Sequence, residues 1–312
     1  MAASRDRHVA LLALLRVKGV NWHFVAREAQ RPDGLERLLD GKCAEGSEEA
    51  NQSMDALVRH AAELHDHRQT VEEMLREMDG EGVALTTVLD NDYPTNLRTI
   101  FNLPPFLFYR GELREDDARA VAVVGTRKAS DMGLKRAAEM ARLLTTHDVT
   151  VLSGLALGID TAAHQACLDA GGRTIAVLGS GIRRVYPPGN RELAEAIVQN
   201  GAVVSQFWPD APPTRYSFPR RNVTMSGMGQ GTVVIEASET SGAKMQARHA
   251  LEHGKHVWLL RSLVTEHSWA RTYAEKRGAK EVESVEDILK DLRSPAAVRE
   301  RADARMQLSL AV

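Results

Sequence analysis

Apolar residues recur along this chain with two different periods, and the change of period divides it. Val9, Leu12 and Leu15, and later Leu57, Leu64, Val71, Leu75 and Met78, fall at helical spacing, so residues 5 to 79 are expected to be helical. A polar, glycine-containing stretch, Gly41 to Ser53, separates the two stripes. The run Val17-Lys18-Gly19-Val20-Asn21 breaks the first helix at a glycine before another begins near Trp22. That turn suits a plain helix hairpin, or one that offers backbone N–H groups to DNA phosphates. From Val83 to Leu113 the strands are short, and Pro94, Pro104 and Pro105 block helix. Continuous apolar runs then appear near residues 121–125, 149–153, 173–179, 202–206, 231–236 and 256–260, with amphipathic stretches between them. Such runs, bounded by glycine, are what strands buried on both faces look like. Their alternation predicts an α/β fold: a Rossmann-like, doubly wound, mostly parallel sheet preceded by a small N-terminal helical domain. The expected divisions are a helical unit of helix-hairpin-helix or SAM-like type at 1–82, a connector packed on the main domain at 83–119, the sheet domain at 120–292 and a polar tail at 293–312.

Composition narrows the chemistry. The chain has 312 residues, 43% of them apolar, enough for a sizeable core. Its 40 Lys and Arg stand against 42 Asp and Glu, a formal net charge of -2, so any surface for nucleic acid must be a local patch. Cys43 and Cys167 are too few and too far apart for a disulfide framework or a zinc site and read as reduced packing thiols. His65 and His67 point to different faces of one helix and, with His60, read as solvated surface, so no metal is expected. Val9 to Leu15 is short and has no cleavage site after it, and no apolar run reaches membrane-spanning length. A cytoplasmic location and no membrane partner are the expectation.

Three segments carry basic pairs: Gly125-Thr126-Arg127-Lys128, Gly179-Ser180-Gly181-Ile182-Arg183-Arg184 and Phe218-Pro219-Arg220-Arg221-Asn222. Read as loops beyond the carboxyl ends of parallel strands, they converge on one crevice. Glycine lets backbone N–H groups approach an anion, and arginine adds a bidentate fork for phosphate. The first loop lacks the G-x-G-x-x-G spacing, which disfavours an ordinary dinucleotide dehydrogenase. The segment Ser153-Gly154-Leu155-Ala156-Leu157-Gly158-Ile159-Asp160 reads either as a phosphate-binding turn or as a close-packed turn with Asp160 as a cap. A Ser153, His164, Asp160 triad is disfavoured, because no G-x-S-x-G elbow is present. Tyr186, near Arg183 and Arg184, offers a flat face for a base, the combination single-strand binders use, and Asn190 opens the next helix. Ser241 and Gly242 precede a further helix and complete the rim.

Together these residues resemble the DNA-processing protein A family, also called Smf, of bacterial natural transformation. The similarity runs from about Leu85 to Val257. It includes Asp90-x-x-Tyr93-Pro94-x-x-Leu97-Arg98-x-Ile100, the Leu107 to Leu113 stretch, Ser153-Gly154-Leu155-Ala156 through Gly158-Ile159-Asp160, Ala163-His164, Ile175 to Gly181, Tyr186-Pro187 with Asn190, the Phe-Pro-x-Arg-Asn motif, and Glu236-Ala237 with Ser241-Gly242. The resemblance implies an extended Rossmann-like domain, a homodimer, binding of single-stranded DNA and loading of a RecA-type recombinase onto it, with no catalytic residues and no cofactor. The implied DNA and phosphate contacts are Gly125, Thr126, Arg127, Lys128, Ser153, Gly154, Gly158, Gly179, Gly181, Arg183, Arg184, Tyr186, Asn190, Phe218, Arg220, Arg221, Asn222, Ser241, Gly242 and Lys244. The chain departs from the family at Leu157, where arginine is usual, and at Val223, where a second basic residue is usual. Lys244 partly compensates, while Gln246 stands where the family has a hydroxyl. The polar tail after Leu292 is too short for the carboxyl-terminal winged-helix domain found in many members, so a member without that domain is expected.

Two other functions fit the same residues. With fewer charges, the pocket suits a nucleotide or nucleotide-derived signal, as in nucleotide-sensing Rossmann-like proteins of the SLOG type, some in anti-phage defence; Glu236 is then the nearest carboxylate for hydrolysis. Alternatively the domain dimerises and recruits a protein partner through the region Glu236 to Leu260.

Overall fold

Asn21 turns the first apolar stripe into two helices, because its carboxamide accepts the N–H groups of His23 (2.9 Å) and Phe24 (3.1 Å) and so caps the second. The computed structural model describes residues 2–310. By its internal contacts the chain forms two units, one of residues 1–93 and 101–107, the other of residues 94–100 and 108–312.

The first unit holds α1 (Ala2–Arg16), α2 (Trp22–Ala29), α3 (Gly34–Leu39), α4 (Glu48–Arg59), α5 (Leu64–Gly80) and β1 (Ala84–Thr87). In α1 every side chain from Val9 to Leu15 is buried, so this helix is enclosed all round rather than along one stripe. Part of the polar stretch is helical, since Ser47 caps α4 through the Ala50 N–H (3.1 Å). Glu28 is fully buried yet satisfied: its carboxylate accepts from Arg37 (2.9 Å) and from the backbone of Ala44 (3.1 Å) and Glu45 (3.3 Å). His60 and His67 both face Glu63, at 2.8 and 3.7 Å.

The second unit is built on β2 (Phe106–Gly111, from Phe108 on), β3 (Ala120–Gly125), β4 (Thr150–Ser153), β5 (Thr174–Val177), β6 (Gly201–Ser205), β7 (Gly231–Glu236), β8 (His256–Leu260) and β9 (Lys280–Val282). These strands lie in the order β2-β6-β5-β4-β3-β7-β8-β9. All neighbours are parallel except β2 and β6, where Phe108 lies opposite Ser205. The helices are α6 (Asp131–Thr145), α7 (Ile159–Asp169), α8 (Arg191–Asn200), α9 (Ser217–Met228), α10 (Gly242–Glu252), α11 (Arg261–Glu266), α12 (Ser268–Lys276), α13 (Val285–Leu289) and α14 (Pro295–Leu310). Val121 and Val123 of β3 enter a core with Ala137, Ala141 and Leu144 of α6 and Ala163 of α7, so alternate residues Ala122 and Val124 face the other side. All six apolar runs read from the sequence are strands, and the sheet is mostly parallel, as expected.

Two segments differ from the sequence reading. Phe-Pro-Arg-Arg-Asn is not a loop but the opening of α9, with Pro219 in the first turn, where its missing N–H leaves no intrahelical bond unmade. The polar tail contains α14, which buries Val298 and Ala302 and pairs Arg299 with Glu115 at 2.6 Å.

Candidate nucleic-acid interface

From β3 the chain steps outward through β4, β5 and β6, then returns to place β7 on the other side of β3. A crevice opens at the carboxyl ends of two strands whose connections leave in opposite directions. A pocket of about 330 Å³ lies there, walled by Val124 to Arg127, by Ala156 and Asp160, by Phe218, Arg221, Asn222 and Met225 of α9, and by Ser238, Ser241 to Ala243 and Gln246.

The two arginines of α9 have separate situations. Arg221 is only 6% exposed. Its Nη1 donates to the carbonyls of Gly154 and Val177 (2.9 Å), and its Nε to Asn222 Oδ1 (3.0 Å). Gly154 is required by this arrangement, since a Cβ there would lie 1.7 Å from Arg221 Nη1. Burial lowers the Arg221 pKa and the charge of Asp160 opposes that; burial raises the Asp160 pKa and the charge of Arg221 opposes that. Asp160 also accepts from the N–H groups of Gly154 (3.1 Å) and Ala156 (3.4 Å), which folds the 153–160 turn around the carboxylate. Arg220, by contrast, is exposed, with its guanidinium over the Phe207 ring, 5.5 Å from the centroid.

Beside the pocket a basic and aromatic strip continues. Arg127 sits over the Phe218 ring at 5.0 Å, and the Phe218 and Tyr186 ring centroids are 5.9 Å apart. Gly179 makes room for this, because a Cβ there would meet Phe218 Cδ1 at 2.6 Å. Tyr186 is 43% exposed and presents its ring to solvent. The loop Thr126 to Lys128 is held by the Thr126 N–H bond to the Glu236 carbonyl (2.7 Å) and by the Lys128 N–H bond to Thr126 Oγ1 (3.2 Å), which leaves both basic side chains exposed. Gly158, at φ +78°, brings the next turn against the Thr126 and Arg127 carbonyls.

The structure thus brings Gly125, Thr126, Arg127, Phe218, Arg221, Asn222, Ser241 and Gly242 to one pocket, with Tyr186 beside it. Other expected contacts are engaged elsewhere. Ser153 is buried and donates to the Val123 carbonyl (2.7 Å). Asn190 is buried and donates to the Leu155 carbonyl and Thr161 Oγ1, both at 2.9 Å. Gly181 packs against the Pro209 carbonyl, 2.1 Å from where a Cβ would sit. Arg183 pairs with Asp210 (2.7 Å), and Lys244 with Glu239 (2.6 Å) over the Trp269 ring, while Arg184 is exposed and its carbonyl accepts the Ser180 hydroxyl. Leu157 is 52% exposed and Val223 half-buried, and neither lines the pocket. Glu236 accepts from Ser130 Oγ (2.7 Å), the capping residue of α6, and so joins β7 to the first loop. Met225 and Ser238 also line the pocket and were not singled out from sequence. The signal for Ser238 was its place just past the carboxyl end of a central strand; Met225 follows Arg221 by one helical turn.

His164 does not join Asp160. Its Nδ1 pairs with Thr174 Oγ1 (2.7 Å), whose hydroxyl donates to the Val151 carbonyl (2.8 Å), and its Nε2 is buried with no hydrogen-bond partner among the described residues. Burial foremost, and then the charge of Arg221, lowers its pKa from 6.5 to about 3. The fold therefore holds His164 neutral, and the unfolded chain takes up a proton that the native state refuses. Stability from this residue is complete above pH 6.5 and is lost as pH falls toward 3, by about 1.4 kcal/mol per pH unit. His164→Gln is expected to flatten the acid limb by about that slope between these limits, measured by urea unfolding across pH; an unchanged slope would show that the imidazole protonates in the native state.

The family model described as DNA recombination-mediator protein A matches residues 84–293. DNA processing protein DprA of Streptococcus pneumoniae is 37% identical over 204 residues, 65% of this chain and 72% of that one. Its X-ray structure matches with a TM-score of 0.70 and 28% identity, covering 90% of this chain and 96% of that one. DNA processing protein A of Helicobacter pylori, for which a single-stranded DNA binding mode is described, shares the fold with a TM-score of 0.60 and 24% identity over 68% of this chain and 97% of that one. The chain spans 72%, 63% and 61% of the length of three curated relatives it matches.

Proposed function

This chain belongs to the DNA recombination-mediator protein A family of DNA-processing proteins, and from that premise we propose that it binds single-stranded DNA across the β3–β7 crevice and passes the strand to a RecA-type recombinase. The observation that carries the reading is the placement of Arg127 over Phe218, with Tyr186 alongside, at the mouth of a pocket whose floor holds the buried guanidinium of Arg221. Cations track the phosphates and aromatic faces stack on bases without regard to sequence, which is the pairing a non-specific strand binder needs. Arg220, exposed on the first turn of α9, extends the positive surface. Leu157 and Val223 contribute no charge, so the electrostatic share rests on Arg127, Lys128 and Arg220. The reading calls for no catalytic group: Ser153 and His164 bond within the strands and helices of the core, and Asp160 and Glu236 hold the loops.

Fluorescence anisotropy with oligo-dT at two salt concentrations tests it. Arg127→Ala and Arg220→Ala are each expected to weaken binding at every sequence and to lower the log–log salt slope by about 0.7, the value for one phosphate contact on a single strand. An unchanged affinity and slope in the folded double variant would overturn the reading, and preference for one mononucleotide over the strand would favour a nucleotide sensor. Handover is tested by recombinase filament assembly on the bound strand. The homodimer that family membership suggests is tested by sedimentation at micromolar concentration.

A further inference from the structure

A second cluster of cations lies at the opposite end of the same strands. Here β7 and β8 begin, and α14 lays Arg301 and Arg305, four residues apart, on the face that also carries Val298 and Ala302. A helix face that packs on neighbouring elements, as this one does on residues 97–99 and 115–118, is ordinarily apolar. This one directs two guanidinium groups toward Lys255, in a small pocket of about 90 Å³ that Arg293 also lines. Among the described residues no carboxylate lines it. Asp291, which lies 3.9 Å from His256, is itself bonded by Lys280 (2.5 Å) and Trp258 Nε1 (2.9 Å).

The protein atoms around this cluster leave its donors largely unused. Lys255 Nζ has a single hydrogen bond, a long one to the Asn96 carbonyl at 3.3 Å, and among the described residues neither Arg301 nor Arg305 has an ion pair or hydrogen bond. The other polar groups present are already committed: Gln230 bonds the Ala118 and Arg293 carbonyls, and His253 Nδ1 bonds Ser226 Oγ (2.7 Å). Here Lys255 is half-buried beneath the exposed Arg301 and Arg305, and like charges gathered in this way repel one another, a cost that one oxyanion accepting from several of them offsets. From this geometry we propose that Lys255, Arg301 and Arg305 form a phosphate-binding site distinct from the β3–β7 crevice, sized for one tetrahedral oxyanion. The lowering of the Lys255 pKa from 10.5 to about 7, by burial and then by Arg305 and Arg301, shows how strongly the site disfavours a further cation without an anion beside it. A free phosphate ion and the terminal phosphate of a nucleic-acid strand present the same group.

The test titrates inorganic phosphate into the full chain against sodium chloride of equal ionic strength, following the thermal midpoint and heat of binding. A saturable response is expected in the wild type and in the Arg127→Ala/Arg220→Ala variant, and an affinity about tenfold or more weaker in Arg301→Gln/Arg305→Gln. In phosphate-free buffer that second variant is expected to be at least as stable as the wild type, since it removes repulsion, so a lost response will not be mistaken for misfolding. An equal response in Arg301→Gln/Arg305→Gln, or a response that chloride reproduces, overturns the proposal. Oligo-dT with a 5′-phosphate or a 5′-hydroxyl separates the sources. A preference for the phosphorylated strand that Arg301→Gln/Arg305→Gln abolishes assigns the site to strand ends, and equal binding of the two strands beside a retained phosphate response assigns it to the free ion.

Discussion

Arg221→Ala is expected to destabilise the protein by about 2 to 4 kcal/mol, the range expected when a buried charged side chain that bonds several groups is removed from its network. The side chain bridges the Gly154 and Val177 carbonyls and Asn222, so its loss unmakes the tie between α9 and the turns after β4 and β5. It also leaves Asp160 buried without the charge that favours its ionised form. Urea unfolding measures the cost, and a loss under about 1 kcal/mol would show that the guanidinium holds nothing together. Adding Asp160→Asn isolates the electrostatic share: the double variant should be more stable than the sum of the two single changes predicts, by about 0.5 to 3 kcal/mol. Arg127→Ala is the contrasting case. Arg127 is exposed and stacked on Phe218, so its removal should affect strand binding and leave the unfolding midpoint almost unmoved. A single basic pair, Arg220-Arg221, thus divides into one residue for the surface and one for the frame.

Gly158→Ala is expected to act on stability and binding together. Gly158 has φ +78° and ψ -122°, a conformation that side chains disfavour, and a Cβ there would stand 2.5 Å from the Thr126 carbonyl oxygen and 2.8 Å from that of Arg127. Backbone strain alone costs about 1 to 3 kcal/mol, and the collision forces the Arg127 loop away from the pocket, weakening strand binding as well. Gly171→Ala supplies the control: φ is +71°, but nothing lies within 4 Å of the added Cβ, so it should cost about 1 kcal/mol and leave binding alone. Equal losses of affinity in the two variants would show that the Gly158 contact does not place Arg127.

The glycines and arginines of the site were legible in the sequence as residue types, and the structure distributes them among unlike tasks. Gly154, Gly158, Gly179 and Gly181 are all glycine because something lies where a Cβ would go, and at none of them can the chain alone say whether that is an anion or the protein itself. Here the occupants are Arg221, the Thr126 carbonyl, Phe218 and the Pro209 carbonyl. Asn190 and Ser153 read as polar groups near a phosphate site, yet their partners are Leu155, Thr161 and Val123, residues as much as 35 positions away in the chain. The stripe on α14 was hidden for a related reason: Arg301 and Arg305 look like solvated tail until the Lys255 end of β8 is placed beneath them.

Periodicity determined the elements. Short apolar runs bounded by glycine and alternating with amphipathic stretches read as strands covered on both faces, and a doubly wound sheet is the way to bury them, whereas the apolar run Val9 to Leu15, lying within a longer helical pattern, is an enclosed helix. The order β6-β5-β4-β3-β7-β8 was not in that pattern, because it depends on which strand edges meet after the chain reverses. That reversal is what opens the crevice between β3 and β7, and burial beneath it is what separates Arg221 from Arg220. Both are consequences of long-range packing, to which local periodicity is blind.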